Sequence, residues 1–369
     1  MDFMISEASS DLAALTKDIL TKYGSHQRLR ETESGPERID RELWADLASA
    51  GVLEATLPAE VDGGGFGLLE QCAVLIEFGR AVAPVPYLDS IVVAAAAIAR
   101  FGDEAQRARW VAPAAAGHMI LTAALVEELG EDSAVPATIA EPVGDGWRVT
   151  GAKASVPWAP VADAILVPAR TNTGPAVFVV LLDDPGVTVT PVDLVDLGSA
   201  GWLDLDGVSL AADRLIGTAD MVDHLTTTAT VGRCAWQVGV LDQALALTAD
   251  HARTRVQFDR PIAAFQAVTQ RLADAYIDVE AVRLTLWQAA WRVAAGLPSR
   301  AEVATAKFWA ADAGHRVAHT AVHIHGGMGI DTDHPLHRYF VAAKRTEFEL
   351  GSATTQLRRL GALLADEPA

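Results

Sequence analysis

The sequence predicts an α+β protein in three parts: a helical N-terminal domain over residues 1–115, a middle antiparallel β domain over 116–218, and a C-terminal four-helix bundle over 219–369. Three observations predict it. Apolar residues recur at helical spacing up to about residue 115. Short Val-, Ile- and Leu-rich runs separated by Gly, Pro, Asn and Asp then take over from Ile120 to Leu210. Beyond Ala219 long helical stripes return and continue to the end.

In the first part, Leu12, Leu15, Ile19 and Leu20 make one stripe, with Ser10 or Asp11 placed to cap it. Ile39–Gly51 repeats the pattern and stops at a glycine. The glycine run Gly63–Gly67 follows no strand and precedes no Gly-Lys-Ser/Thr, so it is a structural loop rather than a phosphate cradle. Leu68–Val82 and Leu88–Phe101 are two further helices, divided by Pro84 and Pro86.

The middle part contains candidate strands at Ile120–Val126, Trp147–Thr150, Ala164–Ala169, Ala176–Leu182 and Val187–Val192, with Gly201–Leu210 closing the set. No long helical pattern lies between them, which favours antiparallel pairing over βαβ units. In the last part, Cys234, Val238, Leu241 and Leu245 mark one core face. Helices from Phe265 to about Ala295, from Ala301 to Ile324 and from Thr354 to Ala365 complete a bundle.

Between the first two of these helices lies RTRVQFDRPIAAFQAVTQRLAD, Arg253–Asp274. Pro261 breaks the helix, and the next begins near Phe265 with Val268, Leu272, Tyr276 and Val279 on one face. Arg255 and Gln266 then sit at the rim of a helix–helix corner. A guanidinium there can grip a phosphate through two parallel hydrogen bonds, or simply complement a helix C-terminus. Spacing leaves both readings open.

Composition narrows the partners. The 369 residues carry a net charge of −19, from 29 basic and 48 acidic side chains, which excludes an extended nucleic-acid surface. Any anionic ligand must occupy a local basic or N–H-rich pocket. Two cysteines, Cys72 and Cys234, make no disulfide framework or metal knuckle. MDFMISEASS lacks the basic and apolar regions of a secretory signal, and Ile91–Ala99 is far shorter than the roughly 20 residues of a membrane span. A cytoplasmic protein without membrane contact is expected.

The run R-x-Q-F-x-x-P-I-x-x-F-Q followed by R-L-A-D resembles the C-terminal-domain motif of the acyl-CoA dehydrogenases, and the likeness extends over nearly the whole chain. It is greatest to actinobacterial subunits that pair with a second, different acyl-CoA dehydrogenase chain in steroid (cholesterol) side-chain degradation. The resemblance implies that Arg255, Phe258 and Gln266 help hold FAD bound to a neighbouring subunit. His323-Ile324-His325-Gly326-Gly327-Met328-Gly329 resembles the family's Q-x-x-G-G-x-G, which implies that His323, Gly326 and Gly327 lie by the adenosine half of FAD. His323 stands where the family has glutamine.

The family's catalytic base does not carry over. Its Y-E-G-T segment matches Glu349-Leu350-Gly351-Ser352, pinned by Gly351 and Gln356, so the base position holds Leu350. The alternative position on the first bundle helix holds Ala229, and no carboxylate occurs from Leu225 to Leu241. The T-E-x-x-A-G-S-D loop that cradles the flavin is represented only by Ala124–Gly130, and the W-I-T-N strand reads Ala154-Ser155-Val156-Pro157-Trp158. Pro157 removes a backbone donor there.

The expectation is therefore a subunit with no catalytic residue of its own. It would complete the FAD site of a partner within an α2β2 heterotetramer that desaturates an acyl-CoA and passes electrons to an external acceptor. Two rivals are a self-sufficient homotetramer using Glu349 or Glu347 as a displaced base, and a cofactor-free scaffold. His315, His319 and His323 share a helix face, but neither H-E-x-x-H nor cysteine accompanies them, and no metal site is expected.

Overall fold

A computed structural model of the chain describes residues 7–128 and 135–366. Met1–Ser6, part of the segment read against a secretory signal, lie outside the described residues, as do Leu129 and Gly130 of the expected cradle loop. The helices in chain order are α1 (Glu7–Tyr23), α2 (His26–Ser34), α3 (Arg41–Ser49), α4 (Val52–Ala55), α5 (Leu68–Ala81), α6 (Ala96–Phe101), α7 (Glu104–Gln106) and α8 (Ala112–Ala115), then α9 (Ala219–Thr254), α10 (Gln266–Ala294), α11 (Arg300–His325), α12 (Leu336–Phe348) and α13 (Ala353–Asp366). The strands are β1 (Leu121–Ala123), β2 (Ile139–Val143), β3 (Gly146–Pro157), β4 (Ala164–Thr171), β5 (Gly174–Leu181), β6 (Val187–Pro191), β7 (Ala200–Leu210) and β8 (Leu215–Thr218), with a small ribbon of β9 (Val256–Gln257) and β10 (Arg260–Pro261). No helix among the described residues is long and apolar enough to cross a membrane.

The described residues divide into two compact units, one of residues 7–26, 68–83 and 230–366, the other of 27–67, 84–128 and 135–229. In the second, the sheet runs β6-β7-β3-β2-β4-β5-β8, with β1 pairing β4. It is mixed, not wholly antiparallel: β1 and β2 both lie parallel to β4. The long connection that parallel pairing needs contains the β2–β3 hairpin. Strands β4 and β5 are buried on both faces, hence their unbroken apolar runs. Phe178, Ile165, Val167, Leu203 and Val208 anchor the core. The short helix α3 begins on Asp40, whose carboxylate accepts the Leu43 N–H at 3.0 Å, a cap that contributes about 1 kcal/mol.

The other unit is helical. α1 packs on α5, and α10, α12 and α13 pack on α11. Five helices, not the expected four, follow the sheet among the described residues; the additional one is α12. α5 and α9 touch backbone to backbone, because a Cβ on Gly239 would stand 1.9 Å from the Ile76 carbonyl oxygen. On α10 the expected face is only partly buried. Val279 is in the core, but Tyr276 is 60% exposed and its neighbour Ile277 64%. The buried stripe runs instead through Ala275, Val279, Val282 and Leu286, leaving apolar side chains on α10 uncovered by this chain.

Candidate functional site

The helical unit brings two turns together. At the first, α9 ends at Thr254 and the Arg255 N–H donates to the His251 carbonyl at 2.8 Å. The ribbon β9–β10 then reverses through Phe258 and Asp259, both at positive φ (53° and 61°). That conformation matches the primed turns that close two-residue hairpins, but it is costly for phenylalanine. Phe258 is nevertheless 86% exposed, meeting Phe265 only edge-on at 6.1 Å. Gln266 opens α10, where Phe265 supplies no side-chain cap to the first-turn N–H groups.

Arg255 is exposed, and its guanidinium makes no hydrogen bond or ion pair among the described residues. The carbonyls at the end of α9 are served by Arg253, whose Nε reaches Ala249 O at 3.3 Å. Arg255 is thus left free in the turn that leads into α10, its carbonyl accepting the Ile262 N–H at 2.8 Å; an anion there would find a fork of donors, and the start of α10 the positive end of a dipole.

At the second turn, α11 ends at His325, and Gly326 takes φ +66° and ψ −143°, a conformation only glycine adopts comfortably. Gly327 has no such backbone demand, and a Cβ added to it would meet nothing within 4 Å. Both glycines therefore leave open space along the backbone. His323 is exposed. It leaves α11 about 200° around the axis from His325.

His325 is the residue that meets α9. Its ring stacks on His251 at 4.3 Å and 21°, and His334 packs edge-on to it at 5.2 Å. Burial, then neighbouring positive groups, hold His251 below the ordinary imidazole range; burial does the same to His325. Arg255, Phe258 and Gln266 share the first turn, Gly326 and Gly327 the second, and the histidine stack joins the two. Sequence reading missed His251 and His325, which are 74 positions apart; no local pattern pairs them.

The base region is occupied by ion pairs. Glu349 ends α12 with Arg233 Nη2 at 3.0 Å from Oε1 and Arg345 Nε at 3.3 Å from Oε2. Glu347 is held by Lys344 and, at 3.1 Å, by His315. Leu350 stands at φ +59°, and Gln356 Nε2 donates to its carbonyl at 3.0 Å. Lys307, fully buried, donates to the carbonyls of Thr346 (2.8 Å) and Gly351 (2.9 Å). Burial pushes its ammonium down to about 8. On α9, Thr228, Ala229 and Thr230 are buried and carry no carboxylate.

In the sheet unit, the expected cradle is used up internally. Glu127 accepts from Lys153 Nζ (2.6 Å), Thr138 Oγ1 (2.7 Å) and the N–H groups of Ala137 and Thr138. Burial opposes the charge, but these donors outweigh it and hold the carboxyl down to about 2. The ladder between β3 and β7 is irregular between Lys153 and Val156, where Ser155 takes φ +47°. Pro157 gives its carbonyl to Thr122 Oγ1 at 2.7 Å. Trp158, at φ +59°, donates its N–H to Ser199 O and its indole N–H to Asp89 at 3.0 Å. No group of three His, Cys, Asp or Glu side chains is arranged to hold a metal among the described residues.

Comparison with known proteins matches residues 8–118 to the acyl-CoA dehydrogenase N-terminal domain and residues 224–364 to the acyl-CoA dehydrogenase C-terminal domain. Acyl-CoA dehydrogenase FadE27 of Mycobacterium tuberculosis is 52% identical over 377 residues, covering 100% of both chains. A chain of the ChsE4–ChsE5 complex from the same organism superposes with a TM-score of 0.97 at 52% identity, covering 100% of each. The Tcur3481–Tcur3483 steroid ACAD gives 0.93 at 40% identity, covering 98% of each.

Proposed function

The chain belongs to the acyl-CoA dehydrogenase family, whose members are FAD flavoproteins, and we propose that it is the non-catalytic subunit of an α2β2 acyl-CoA dehydrogenase. One observation carries this. Glu347 and Glu349, beside the expected base position, are tied into ion pairs, whereas Arg255 and Gly327 have no task among the described residues that accounts for them.

The chemistry FAD supplies when bound is acceptance of the β hydride of a thioester whose α proton a carboxylate removes. Here the residues fit one edge of that cofactor only. Arg255 would take a phosphate through its guanidinium, with Gln266 and Phe258 beside it; Gly326 and Gly327 would admit the adenosine half, with His323 near. The partner would contribute the base and the ring cradle, because Leu350 cannot accept a proton and Pro157 cannot donate one. Apolar Tyr276 and Ile277 on α10 would be covered in the assembly.

The substrate proposed is a CoA ester with a steroid-like acyl group, oxidised in the cytoplasm with electrons passed to an external acceptor. This rests on the likeness to the steroid ACAD. Co-expression with candidate partner chains, followed by flavin stoichiometry and turnover, tests the whole reading: flavin and activity are expected only with both chains present. A lone chain that is yellow and desaturates an acyl-CoA overturns it in favour of a homotetramer. A partner fully flavinated and active by itself leaves this chain a scaffold.

A further inference from the structure

We propose that His251 and His325 are a positioning pair that locks the Arg255 turn against the Gly326–Gly327 turn, so that both address one FAD. The inference rests on the reading above and adds two residues to it. His251 carries Arg255 directly, since its carbonyl accepts the Arg255 N–H at 2.8 Å. His325 adjoins Gly326 in the chain, and their rings stack at 4.3 Å. Any shift of one turn relative to the other must therefore break this stack.

His325 is well fixed. Its Nδ1 lies 2.9 Å from the Ala321 carbonyl, which can only accept, so this nitrogen carries the proton. The Gly329 backbone packs close against this end of α11, since a Cβ added to it would approach Val322 Cα to 2.9 Å and His325 Cβ to 3.2 Å. The groups facing the stack are His334 and Arg255. With both pKa values pushed below the ordinary imidazole range, the neutral forms that stack without repulsion are favoured. His251 is only half-buried, so a change there tests the pair without opening the core.

The test uses the complex of this chain with its catalytic partner. His251→Ala should weaken FAD retention by about tenfold, the upper range of an aromatic pair. The melting temperature of the lone chain should fall by no more than a few degrees, the share of one aromatic pair in a chain of this size. His251→Phe, which restores a stacking ring without a titratable nitrogen, should recover retention. Unchanged FAD affinity in His251→Ala, or a loss that phenylalanine does not rescue, overturns the proposal. Arg255→Ala separates the two levels of argument. If it weakens FAD binding while His251→Ala does not, only the positioning pair falls; if neither variant has an effect, the shared FAD site falls with it.

Discussion

Arg233 and Glu349, 116 residues apart, meet at 3.0 Å with side chains 7% and 16% exposed. The carboxylate next to Leu350, the expected base position, is therefore a structural ion. Removing one partner of such a pair leaves the other charge in a poorly solvated place, which costs about 3 kcal/mol. Glu349→Gln should accordingly lower the stability of the lone chain in urea melts, while Arg233→Leu combined with Glu349→Leu recovers most of the loss. Activity of the heteromeric complex should not change in Glu349→Gln. Abolished turnover there would revive the displaced base.

Leu350→Glu should not create an active site. Leu350 lies in a turn fixed by Lys307 on one side and Gln356 on the other, so a carboxylate can be installed without rebuilding the turn. The ring cradle stays unavailable, however, with the Pro157 carbonyl and the Trp158 indole already engaged. Assembled with a partner whose own base has been removed, Leu350→Glu should give no desaturation above background. Recovered turnover would mean that only the base had been lost.

Arg255→Ala should reduce FAD retention in the complex by roughly ten- to a hundredfold in Kd, the worth of a hydrogen bond to a charged group. Arg255→Lys should recover part of it, since a point charge replaces the two-pronged fork. Flavin content after gel filtration reads the difference. The lone chain should melt as the wild type does, because the guanidinium has no partner among the described residues.

Much of this was legible from the sequence wherever the signal is local. The strands β4 and β5 carry near-continuous apolar runs, and on α9 the spaced residues Cys234, Val238 and Leu241 are buried. The residues used to align the expected base position do share one turn, where Gln356 donates to the carbonyls of Leu350 and Gly351. β2 was hidden by Pro142 and by apolar ends, Ile139 and Val143, that lie exposed. α12 was hidden by its charges, one of which, Arg338, is buried against His26. Parallel pairing of β1 with β4 and stacking of His251 on His325 join distant positions, and periodicity within a window cannot report on those. Tyr276 satisfied a core pattern although nothing in this chain buries it.

Acid should destabilise the sheet unit in two steps of different origin. His224 sits beside Phe101 at 5.5 Å, and burial, then the charge of Arg100, brings its pKa down to about 4 from the ordinary 6.5. The folded state thus binds fewer protons than the unfolded one between these values, so stability falls as pH drops from about 6.5 to about 4 and levels off below, by about 3 kcal/mol in all. Glu127, held down to about 2 from 4.5, adds a second loss over that lower interval as its bonds to Lys153 and Thr138 break. His224→Phe should abolish the first step and leave the second. Urea melts at pH 7, 5.5, 4 and 3 separate them, and a variant that still loses stability between pH 6.5 and 4 would assign that step to another group.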